Sequence, residues 1–185
     1  MRDHLLLAAA GAALLITQYV ATREIGSTFF STELTAMLAV LVTMVGPSVG
    51  YALAHRLSAS SLVAWGVVSV SAHLAMPVGL RALVGALADR GFEGWALAVT
   101  VLGGSLLLTG FYAVFLPRLA REPASLARLY AAELGGALAA LAFILLSPSW
   151  RITLAAYFAV AVLVVHVGLS RRVLTAAMAL AAAAI

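Results

Sequence analysis

Three acids and two arginines stand where this sequence can do chemistry. Glu133 lies inside a long apolar run, and a carboxylate there is costly unless it is protonated, paired or facing a wet cavity. Two readings compete: a functional intramembrane acid, or a side chain about two turns into its helix that reaches the headgroups or caps a neighbour. Glu24 and Glu33 flank the polar yet aromatic stretch Ser27-Thr28-Phe29-Phe30-Ser31-Thr32, which is expected either to dip into the fold as a short re-entrant piece or simply to connect two helices. In the first case Arg23 and the two glutamates must satisfy one another. In the second, Glu33 is a first-turn acid with Thr32 as its cap. Tyr19 precedes Arg23 by one turn, so a phenol and a guanidinium share a face if the first helix continues, and Gln18 and Glu24 are the other members of such a pocket. The competing role for Tyr19, as for Tyr51, Tyr112 and Tyr157, is anchoring at a membrane interface. Arg81, after Pro77 and Gly79, either lines a cavity for an anionic group or snorkels to the surface.

His73 and His166 are candidate ligands for haem or a metal, because imidazoles on facing helices hold such groups in bundles. Neither has a second histidine at ligand spacing or a carboxylate close in sequence, so a packed or hydrogen-bonded histidine is the simpler expectation. No cofactor is therefore expected. Glycine-rich phosphate loops and H-E-x-x-H are missing, and the absence of cysteine removes disulfides, thiolate metal sites and cysteine nucleophiles. No catalytic set remains.

The elements that must position these residues follow from composition. With 64% hydrophobic and only 10% charged residues, and a mean hydropathy of +1.11, the chain is far more apolar than a soluble domain. Apolar segments at about 5–20, 33–54, 61–86, 94–116, 126–146 and 152–169, with a partial one at 173–185, predict an all-α polytopic bundle of six to seven transmembrane helices in one domain. A signal peptide competes for the first segment, but it runs into Thr22-Arg23-Glu24 without a small-x-small cleavage pattern, so a retained helix is expected. The last segment is too short to span, so the chain reads as part of something longer. Gly46 and Gly50, around Pro47, and Gly135 and Gly136, beside Glu133, predict close helix approach, with the proline bending its rod.

All eleven basic residues are arginines, spread one or two per joint without interleaved aromatics, so the net charge of +4 speaks for membrane boundaries and not for nucleic acid. A cytoplasmic N-terminus leaves Arg2, Arg56, Arg118, Arg121, Arg128, Arg171 and Arg172 inside against Arg23, Arg81, Arg90 and Arg151 outside. The expected location is a cell membrane, of the bacterial inner type, with the N-terminus in the cytoplasm.

Two stretches resemble a known family. Gln18-Tyr19 through Arg23-Glu24, Phe29-Phe30, Glu33-Leu34 and Gly46 to Tyr51 are similar to the opening helices of the membrane domain of spermidine-synthase-like proteins. Pro117-Arg118-Leu119 and Leu129-Tyr130-Ala131-Ala132-Glu133-Leu134-Gly135-Gly136-Ala137-Leu138 resemble that family's tyrosine-acid-glycine helix, with Glu133 where aspartate is frequent. The resemblance implies a membrane module joined to a soluble aminopropyltransferase-like domain. After Arg172, however, no strand, glycine-rich turn and ribose-binding acid follow, so transferase activity requires a separate chain or a missing domain. The expectation is a non-catalytic scaffold, partner-binding or small-ligand-binding unit. It is embedded in the bilayer with a protein partner or further copies of itself. Its alternatives are a small transporter using Glu24, Glu133 and Arg81, and a haem- or quinone-associated subunit using His73 or His166.

Overall fold

A computed structural model describes residues 1–29, 33–91, 103, 109–120, 123–146 and 149–168. Among them the chain is all-helical: α1 (Arg2–Phe29), α2 (Glu33–Leu53), α3 (Ala59–Ala88), the short α4 (Gly110–Ala113) and α5 (Phe115–Leu119), α6 (Pro123–Leu146) and α7 (Trp150–Gly168). The expected segment at 173–185, most of that at 94–116, Thr32 and the side chain of His166 fall outside the described residues.

Local chemistry explains where the helices begin and end. Ser58 caps α3, its side chain accepting from the Ser61 amide at 3.1 Å. Past Ala88 the chain turns at Gly91, whose φ of 73° suits a residue without a Cβ. Pro123 opens α6, where the missing N–H is no loss. The first helix differs from its expected bounds: it does not stop near Val20 but carries Arg23, Glu24 and Ser27 onward to Phe29, so Glu24 belongs to a continuous helix and not to a re-entrant connection.

α1 is the centre of the structure. It packs against α2, α3, α4, α5, α6 and α7, and Leu7, Ala10, Ala13, Ile16 and Val20 supply the middle of the core. Small residues bring α6 closest: a Cβ on Gly11 would overlap the Glu133 backbone carbonyl, and one on Gly136 would overlap that of Ala8. Gly135 meets nothing within 4 Å, so only Gly136 of the adjacent glycines lies in the seam. On the other side, Gly50 of α2 accepts the backbone of Gly110 in α4, which also lies against the Gly46 carbonyl.

Arginines close one end of the bundle. Arg2 donates from Nε and Nη2 to the Val167 carbonyl at 3.2 and 2.6 Å, and Arg118 Nη1 donates to the Ala54 and Leu57 carbonyls at 3.0 and 3.1 Å. Both cations thereby meet the free carbonyls at a helix carboxyl end, where the backbone dipole also favours them. At the opposite end, the last turns of α1 face Trp150 at the start of α7 and Arg81 near the end of α3. Among the described residues, two helices, over Arg2–Ser27 and Ser125–Leu146, are long and apolar enough to cross a membrane by length and composition, and Ala59–His73 and Trp150–Val165 are shorter apolar stretches.

Candidate ligand pocket and polar clusters

The sequence-marked residues separate into two places, and a third cluster joins them. Glu133 projects from α6 at the seam with α1. Its residue is 5% exposed, and neither carboxylate oxygen has a hydrogen-bond partner. It does not reach the surface, because Gly11 lets α6 approach until the Glu133 backbone rests against α1. The side chain borders a partly open pocket of about 170 Å³ shared by α1, α2 and α6. Leu14, Leu15 and Leu134 form apolar walls, while Gln18, Tyr51 and Tyr130 add polar atoms. Tyr51 lies within electrostatic reach of both Glu133 and Tyr130. Tyr130 and Glu133 are three residues apart on one helix and therefore share a face, a signal the sequence carried. Tyr51, from another helix, carried none.

Gln18 has a second task. Pro47 has no N–H for the Thr43 carbonyl one turn before it, and the Gln18 side-chain amide donates to that carbonyl at 3.3 Å. The pocket wall is thus fastened across α1 and α2 at the point where the α2 ladder is broken.

The residues expected around Glu24 do not form one pocket. Tyr19 and Arg23 do share a face, but they turn to Trp150: Arg23 lies over its ring at 4.2 Å, and Tyr19 packs at a centroid distance of 6.5 Å. Glu24, buried at 3% exposure, pairs instead with Arg81 at 3.6 Å. Glu33, at the first turn of α2, is exposed.

The third cluster is interior. Tyr112 and Tyr157 are wholly buried and share a hydrogen bond of 2.9 Å between their hydroxyls, so neither is an interface anchor. Both phenols point inward from α4 and α7, where each is the other's partner. His73 of α3 stacks on Tyr157 with centroids 4.0 Å apart, and neither ring nitrogen has a hydrogen-bond partner. Ser69, one turn earlier, and Thr17 of α1 are equally buried; Thr17 lies against Tyr157, while the Ser69 hydroxyl has no hydrogen-bond partner. Among the described residues, no group of three or more histidine and acidic side chains is arranged to hold a metal ion.

No family model, curated protein or solved structure matches this chain.

Proposed function

We propose that this protein is a polytopic membrane bundle whose α1–α2–α6 pocket binds a small organic cation, an amine with an apolar portion, using Glu133 as counter-ion. The observation that carries this reading is the buried carboxyl of Glu133, with both oxygens free, at the wall of a pocket. In hydrocarbon such a group demands a proton or a cation. An ammonium centre answers the demand, the faces of Tyr51 and Tyr130 suit a cation as well, and the leucines accept a methylene chain. A polyamine-class ligand is also what the resemblance to spermidine-synthase-like membrane domains favours.

The membrane setting is supported by more than the spans at Arg2–Ser27 and Ser125–Leu146. At 21, 30 and 19 residues, α2, α3 and α7 each reach about 28 Å or more at 1.5 Å per residue, close to the hydrocarbon thickness. Large apolar side chains such as Met37, Met44, Val78, Leu138, Leu145 and Leu146 stand exposed along them and along α6. Together with the segments expected at 94–116 and 173–185, these helices make up the six-to-seven-span reading, with the ends of α1 and α7 joined by Arg2 inside and by Arg23 outside.

Isothermal titration of the nanodisc-reconstituted protein with a series of alkyl mono- and diamines tests the pocket. Saturable amine binding that weakens at least tenfold in Glu133→Gln is expected. Equal binding by wild type and variant, or no binding of any amine, overturns the proposal.

Transport of that cation is a second reading, favoured by the break at Pro47 beside the pocket, which gives α2 a place to bend. Amine-driven flux in proteoliposomes, lost in Glu133→Gln, supports it; uptake no greater than in protein-free liposomes sinks it.

A further inference from the structure

A second polar region lies on another face of α1. Thr17, Ser69, His73, Tyr112 and Tyr157 come from four helices and are each 0% exposed. The Tyr112–Tyr157 bond satisfies one hydroxyl with another, and Thr17 lies against Tyr157, but the hydroxyl of Ser69 and both nitrogens of His73 have no hydrogen-bond partner. Pro77, one turn beyond His73 in the same helix, has no N–H to return to the His73 carbonyl. Buried polar groups in such number are ordinarily satisfied by internal water, which makes about three hydrogen bonds per molecule.

The two ends of this region differ. Toward the Arg2 end it is walled by Phe111, Phe115 and Trp65, whose rings pack edge to face at 5.5 and 6.5 Å, and by Leu116. Toward the Trp150 end the next polar pair stands beyond one apolar turn, Val20 and Ala21 on α1. Glu24 stands seven residues beyond Thr17 on α1, and Arg81 eight beyond His73 on α3, each about 10–12 Å further along. Their ion pair joins a side chain 4% exposed to one 64% exposed, so it bridges the interior and the surface.

We propose that Thr17, Ser69, His73, Tyr112 and Tyr157 form an internal water site, a recess that is blind at the aromatic wall and opens toward the Trp150 end when Arg81 leaves Glu24. The bound species is a small cluster of water. The recess is independent of the Glu133 pocket, which lies between α1, α2 and α6. It gives the interior one-sided contact with solvent.

X-ray hydroxyl-radical footprinting of the full chain in nanodiscs, read by peptide mass spectrometry, tests the site, because radicals form from bound water and label what touches it. Tyr157, Tyr112 and His73 are expected to label several-fold faster than Phe111, which is equally buried but belongs to the dry wall. Labelling of Tyr157 no faster than that of Phe111 overturns the proposal. After dilution into ¹⁸O-water, label at Tyr157 is expected to acquire the heavy isotope several-fold sooner in Arg81→Gln than in wild type. Glu24→Gln serves as the second variant, removing the same pair from its buried side. Unchanged exchange in both overturns the gate.

Discussion

The side chain of Gln18 donates to the carbonyl of Thr43, the one acceptor that Pro47 leaves without its helical donor. A proline inside a helix removes the hydrogen bond to the residue four before it, and in an apolar setting the freed carbonyl requires another partner. Here α1 supplies that partner, so the defect in α2 becomes the bond that holds α1 and α2 in register beside the pocket.

Replacing Gln18 by Leu is therefore expected to cost about 1–2 kcal/mol, the scale of a buried acceptor left unsatisfied. Pro47→Ala restores an N–H within α2, so the cost of Gln18→Leu should shrink markedly in that background. The double-mutant cycle, read by unfolding in mixed detergent micelles, checks the relationship. Equal costs in both backgrounds refute it.

Adjacent glycines should behave oppositely. Gly135→Ala adds a methyl group to open space and lowers backbone entropy in the unfolded chain, so a gain of about 0.5–1 kcal/mol is expected. Gly136→Ala pushes a methyl group into the Ala8 backbone, and neither helix can yield without separating from its neighbour. A loss of about 1–3 kcal/mol follows. Comparing the two unfolding midpoints decides the matter.

The tyrosine pair predicts non-additivity. Either Tyr112→Phe or Tyr157→Phe leaves one buried hydroxyl without its partner, at a cost of about 1–3 kcal/mol. Removing both hydroxyls deletes the demand along with the supply, so the double variant should lose less than the sum of the single ones. Additive losses in the same unfolding assay contradict the bond.

Arg118→Met should destabilise by about 1–3 kcal/mol, since it withdraws two charge-assisted hydrogen bonds from the carboxyl end of α2. Arg118→Lys should recover part of the loss, because it keeps the charge at the helix end but not the fork geometry. If Met and Lys are equivalent in thermal unfolding, the charge at this helix end contributes nothing.

Much of the architecture was legible in the chain itself. Apolar runs separated by arginine-bearing joints specify helices, because only a continuous run can bury its own backbone polar groups in hydrocarbon. The glycine pattern around Pro47 marked a place of close approach, and Glu133 stood out because an acid in an apolar segment is costly anywhere. These are properties of single segments, and a linear sequence displays them.

Partnership is a property of pairs of segments, and the tertiary structure alone decided it. Arg23 and Glu24 are neighbours in sequence, yet successive residues on a helix point about 100° apart, so one turns to Trp150 and the other to Arg81. The same rotation puts Gly136 in the seam and Gly135 outside it. Tyr112 and Tyr157, 45 residues apart, resemble surface anchors by type and become each other's hydrogen-bond partner because α4 and α7 face one another across the core. Residue type and spacing determine which groups must find a partner; only the packing of helix faces determines which partner each one finds.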